Sequence, residues 1–212
     1  MISRWSVVAN VSKSDVEALY RGGVEAIQAI ASPFGAEDWA APACGEWDAS
    51  DTVRHLVGVT DWYHQWLDRA LDGDSTPPFP ESEFDERNAA RLADLQGLDG
   101  PSAVTRFADR AEAYLDRASQ AWDLPYGFPA GTVTVGLHVG IAATEWHLHA
   151  WDLTAGQGDR HRPGSPAELF RAAGEAMAQA RGGLQGQLLR LAVPIAAKRA
   201  PWKTILKQAG RS

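Results

Sequence analysis

The 212-residue sequence predicts an all-α fold on three observations. Apolar residues recur at three- and four-residue steps over most of the chain, alternating β-branched runs are few, and Ser, Thr and Asp openings are followed by Gly and Pro stops. Ser14-Asp15 opens the first helix with acidic residues at its positive end. Val16, Leu19, Tyr20, Val24, Ile27 and Ile30 form its apolar side, and Ser32-Pro33 stops it. A connection holding Trp39, Pro42, Cys44 and Trp47 leads to Asp48-Ala49-Ser50-Asp51, which caps a second helix running to Asp72. Gly73-Asp74-Ser75-Thr76-Pro77-Pro78-Phe79-Pro80 cannot be helical throughout, and its length suits a crossover between non-antiparallel helices. A third helical region covers residues 84–122 with an interruption at 97–101, after which Ser102 caps its second part. A fourth helix spans residues 133–155 and stops at Gly156-Gln157-Gly158. Ser165-Pro166-Ala167-Glu168 reads as a capping box that opens a fifth helix to Arg181. Residues 184–212, with Pro194 and Pro201, give no boundaries of their own.

Hydrophobic residues make up 45% and charged residues 22%, the pattern of an ordinary globular chain, with a helical bundle over residues 1–158 and an extension over 159–212. The net charge of −7 and the lack of a basic run outside residues 198–207 argue against a nucleic-acid partner. No apolar run is long enough to cross a bilayer. Met1-Ile2-Ser3-Arg4-Trp5 enters polar sequence without a hydrophobic core, so a cytoplasmic protein, monomer or homodimer, is expected. The single cysteine, Cys44, allows no intrachain disulfide and reads as a structural thiol. The nine Trp, including Trp62, Trp66, Trp146 and Trp151, read first as packing residues.

Five of the six His fall in two segments, residues 54–64 and 138–149. On an ideal helix Glu145 and His149 lie about 40° and about 6 Å apart, so both can grip one metal ion. His147 is about 200° from Glu145 and points away, while His138 shares the face but sits about 10.5 Å along the axis, where it can line a pocket. On the second helix His55 borders the apolar arc, whereas His64, about 180° away among Asp61, Asp68 and Arg54, is expected to face water. Arg54 is read as solvent-facing too, and His161 as a bystander. The resulting set, His55 with Glu145 and His149, is a His, His, carboxylate group of the type that binds catalytic zinc, with nickel, iron and manganese compatible with the same donors. Asp152, three residues after His149, can orient a ligand or cap backbone. Arg211 can hold a carboxylate of substrate or cosubstrate where the tail folds back over the metal.

The segment Cys44-Gly45-Glu46-Trp47-Asp48-Ala49-Ser50-Asp51-Thr52-Val53-Arg54-His55-Leu56-Val57-Gly58, followed by Glu145-Trp146-His147-Leu148-His149-Ala150-Trp151-Asp152-Leu153, resembles the mycothiol-dependent maleylpyruvate isomerase N-terminal family of the DinB-like superfamily. The closing residues Trp202-Lys203-Thr204-Ile205-Leu206-Lys207-Gln208-Ala209-Gly210-Arg211 resemble the end of its longer members. The resemblance implies a DinB-like four-helix bundle holding a divalent metal through His55, Glu145 and His149, followed by a C-terminal helical extension. It also implies mycothiol as cosubstrate and a small electrophile as substrate, in an isomerase or transferase reaction. Characterised isomerases of the family carry a further C-terminal domain, which a chain of this length does not hold in full. Two other uses of the same donors stand beside this reading: a noncatalytic bundle that binds metal or a small apolar molecule, and a metal-dependent hydrolase.

Overall fold

A computed structural model describes residues 11–156 and 159–211. The first ten residues, Ser212, and Gln157 and Gly158 of the expected stop lie outside the described residues. Four long helices form the bundle: α1 (Lys13–Ala31), α3 (Ala49–Leu71), α5 (Gly100–Gln120) and α6 (Val135–Leu153). Between them lie a short helix, α2 (Ala36–Trp39), and α4 (Phe84–Asp94), which follows a 3-10 turn at Glu81–Glu83. Three further helices follow: α7 (Pro166–Arg181), α8 (Gly183–Ala196) and α9 (Pro201–Gln208). α1 packs chiefly on α6 and α5, and α3 chiefly on α5 with further contact to α6.

The caps largely follow the sequence. Ser12 and Asp15 form a reciprocal capping box on α1, so that helix begins just before the expected Ser14. Asp48 accepts from Asp51 N at 2.7 Å and starts α3. The break in the third region is real, but Asp99 rather than Ser102 is the cap, its carboxylate accepting from Ser102 N at 2.8 Å. The expected box at Ser165 does not form: with ψ at 66° instead of the extended value of 160° at Ser12, its hydroxyl makes no bond to the first turn of α7. In the tail, α8 tolerates Pro194 near its end and Pro201 opens α9, a favoured place for proline.

Two β-hairpins are absent from the sequence reading: the first lies beside His55, and the second at the opposite end of α3, where Thr132 Oγ1 donates to Ser75 O. β1 (Pro42–Cys44) pairs antiparallel with β2 (Trp47–Asp48) through a turn in which Gly45 takes φ 59°. β3 (Pro125–Phe128) pairs with β4 (Gly131–Thr134) through the two-residue turn Pro129-Ala130. The fourth helical pattern therefore begins two residues later than expected, because Thr132-Val133-Thr134 alternates across a strand before Thr134 caps α6.

The core is aromatic. Tyr20, Phe107, Tyr114, Tyr126 and Trp146 are fully buried. Trp146 stacks edge-on against Phe107 at 4.9 Å and Tyr20 at 5.7 Å, which makes it a packing residue. Its backbone neighbour across the bundle is Gly23, where a Cβ would stand 2.6 Å from Trp146 Cβ, so the α1–α6 approach requires glycine.

Candidate metal centre

His55 on α3 and Glu145 and His149 on α6 are brought together from positions 90 residues apart in the chain. His55 Nε2 stands 3.4 Å and His149 Nε2 3.1 Å from the same oxygen, Glu145 Oε1. One donor atom from each of the three residues falls within 4.8 Å of the others. Both imidazoles are buried, and the Glu145 side chain is 32% exposed, so the cluster opens on its Glu145 side.

The far side of each ring determines what the near side presents. His55 Nδ1–H donates to Asn88 Oδ1 at 2.8 Å, inside the contact between α3 and α4, and leaves the Nε2 lone pair directed at the cluster. His149 Nδ1 lies 3.0 Å from Asp152 Oδ2, a close charge contact without the alignment of a hydrogen bond. Asp152 is in turn held by Arg211, whose Nε donates at 2.7 Å and Nη2 at 2.6 Å. Arg211 Nη2 also reaches Cys44 Sγ at 3.5 Å, and Trp47 of β2 covers His55 with ring centroids 4.9 Å apart. The tail thus folds back over this end of the bundle, as required for Arg211 to act there.

Two imidazole lone pairs and a carboxylate oxygen facing one point repel unless a cation lies between them, either protons on the rings or a metal ion. The donor chemistry fits a divalent ion: nitrogen and oxygen ligands, an open side, and outer partners that set ring orientation. Burial disfavours the charged Glu145, yet the contacts from His149 and His55 outweigh it and hold its carboxyl well below the ordinary range. Burial likewise disfavours charged His149, but Asp152, Cys44 and Glu145 together raise it well above the ordinary value.

The sequence profile of the mycothiol maleylpyruvate isomerase N-terminal domain matches residues 20–154, which contain all three donors. The chain belongs to this family. Among solved structures, the mycothiol-dependent maleylpyruvate isomerase is similar with a TM-score of 0.59 at 19% identity, over 78% of this chain and 69% of that one. A histidine-to-alanine mutant of that enzyme gives a TM-score of 0.61 at 18% identity over the same shares. At these identities the likeness is one of fold, and the bundle is DinB-like. No curated protein matches the chain.

The other histidines of this mycothiol maleylpyruvate isomerase N-terminal family member fall outside the cluster. His147 turns toward α1, with Nε2 3.1 Å from Leu19 O and Nδ1 2.9 Å from His161 Nε2. His138 is buried beside Tyr114, whose Oη lies 2.8 Å from its Nδ1. It lines a cavity of about 370 Å³ that also includes Tyr63, Trp66, Phe84, Phe128 and Glu145, so the expected pocket above the donors is present. Trp66 stacks on Trp62 and borders this cavity, which gives it a part in both packing and pocket. His64 corrects the sequence reading: it is diametrically opposed to His55, yet buried. α5 covers that face, with Arg110 O accepting from His64 Nε2–H at 2.9 Å and Arg117 at 3.1 Å from Nδ1. Arg54 is also half-buried rather than solvent-facing, donating to Leu98 O at 2.7 Å. Sequence reasoning had no signal for Asn88, the single buried position on α4. Cys44 and Trp47 arrive through the unread first hairpin.

Proposed function

We propose that this chain is a metal-dependent isomerase or transferase that uses a low-molecular-weight thiol, mycothiol, on a small electrophile. One observation carries the reading: three atoms able to ligate a metal ion, from two helices, lie within 4.8 Å of one another beside a cavity of about 370 Å³. His55, Glu145 and His149 would hold the ion, with zinc the first choice for these donors and nickel, iron or manganese compatible. When bound, such an ion supplies a Lewis acid that favours thiolate over thiol at neutral pH.

The protein's own groups do the rest. Asn88 fixes the His55 ring, and Asp152, clamped by Arg211, fixes His149. Two N–H groups of Arg211 are committed to Asp152, one Nη1–H donates to Ala209 O and the second Nη2–H reaches Cys44 Sγ, which leaves one Nη1–H for a carboxylate of the thiol. Tyr63, Trp66, Phe84 and Phe128 give the electrophile an apolar seat that limits competing water. His138, kept neutral by burial with its pKa lowered to about 3, offers this seat an uncharged polar edge. In this reading residues 1–158 are the metal-bearing bundle, and 159–212 are an extension that supplies Arg211. No described helix is long and apolar enough to cross a membrane. The proposed enzyme is a cytoplasmic monomer or homodimer.

The test is to incubate the metal-loaded chain with mycothiol and either maleylpyruvate or monochlorobimane. Following cis-to-trans conversion in the first case and thiol loss in the second distinguishes isomerase from transferase. Turnover that needs thiol and is lost in His149→Ala supports the proposal. Hydrolysis without thiol, or no turnover of either compound by metal-loaded protein, overturns it.

A further inference from the structure

A second cavity, of about 670 Å³, lies between Trp151 at the end of α6, the segment before α7 and the start of α9. Its charge is opposite to that of the pocket beside Glu145. Arg160, Arg162 and Lys203 line it, and no carboxylate does, whereas Glu81, Asp85 and Glu145 line the other. None of these three cations forms an ion pair among the described residues. The Arg160 guanidinium is held 3.8 Å over the Trp151 ring, which fixes its position without neutralising it. Two helix N-termini also reach the cavity, at Pro166 of α7 and Pro201 of α9, and neither has a side-chain cap. Uncapped first turns present free backbone N–H groups and a positive dipole end. Trp202, only 9% exposed, lines the same space.

We propose that this cavity is a second ligand site, separate from the metal cluster, for an organic anion with a flat apolar body. The carboxylate or phosphate end would meet Arg162, Lys203 and the helix N-termini, and the flat part would lie against Trp151 and Trp202.

The probe is 2-naphthoate, titrated calorimetrically into the metal-loaded full chain, with 2-naphthylmethanol as the neutral match. The naphthoate is expected to bind at least about tenfold more tightly than the alcohol, and about tenfold more weakly to Arg162→Glu/Lys203→Glu, a pair of exposed positions whose charge reversal leaves the core alone. Binding should persist in His149→Ala. Equal affinity for alcohol and naphthoate, no loss in the double variant, or loss in His149→Ala would each overturn the assignment. So would the absence of naphthoate binding to protein whose metal site is loaded and whose thiol turnover is normal.

Discussion

Replacing Asn88 with Ala should loosen metal binding while leaving the bundle folded. Asn88 is 8% exposed and its Oδ1 accepts from His55 Nδ1–H at 2.8 Å, the contact that leaves Nε2 free for the metal. Removing such an outer partner costs about 10–100-fold in metal affinity. That is about 1.4–2.7 kcal/mol. The buried Nδ1–H then lacks an acceptor, which adds about 1–2 kcal/mol of folding instability. Asn88→Asp separates orientation from packing, since a carboxylate accepts the same proton and should hold affinity at or above the wild-type level. Chelator competition gives the affinity, and thermal unfolding by circular dichroism gives the stability. Wild-type metal affinity in Asn88→Ala, or an equal loss in Asn88→Asp, would refute the proposed role of this contact.

Gly23→Ala should destabilise by about 1–3 kcal/mol through overpacking, because the added methyl meets Trp146 Cβ at 2.6 Å; denaturant unfolding measures it. Asp61→Ala should cost about 1–3 kcal/mol, since it removes the carboxylate that Arg91, Arg106 and Arg110 approach at 2.6, 3.0 and 2.9 Å; the same unfolding assay reads it. Burial lowers His138 to about 3 and, together with the neighbouring His161, His147 to about 4. The unfolded chain therefore binds more protons than the native one below the ordinary histidine value of 6.5, so stability is full above that pH and is lost as pH falls toward the folded values. Guanidinium unfolding at pH 7 and pH 5 should show a clear fall, and equal stabilities would contradict the neutral burial of these rings.

What the sequence revealed and what it concealed follow from the range of the interactions. Glu145 and His149 are neighbours on one turn, so the helical period alone predicts their meeting, and His55 stood out because it bordered an apolar arc. The same period correctly turned His64 away from His55. Its burial depended on α5, a helix some fifty residues away that no local pattern links to that face. The hairpins were missed for a different reason. Strands of two to four residues are shorter than the window in which alternation can be recognised, and Thr132-Val133-Thr134 merges into the apolar run of α6. The Ser165 box has the right residues but the wrong backbone angle, which a motif does not specify. Asn88 is one of several polar residues on α4, and nothing in its spacing distinguishes a buried amide from an exposed side chain. For Arg211 the sequence suggests a carboxylate of substrate or cosubstrate as partner where the tail folds back, but it holds no information that Asp152 is the carboxylate it meets.

The central claim is that His55, Glu145 and His149 form one divalent metal centre, and metal analysis of purified protein tests it most directly. Inductively coupled plasma mass spectrometry on the wild type, His55→Ala and His149→Ala, each checked for native circular dichroism, should find one divalent ion per wild-type chain and little in either variant. Unchanged metal content in both folded variants would contradict the account.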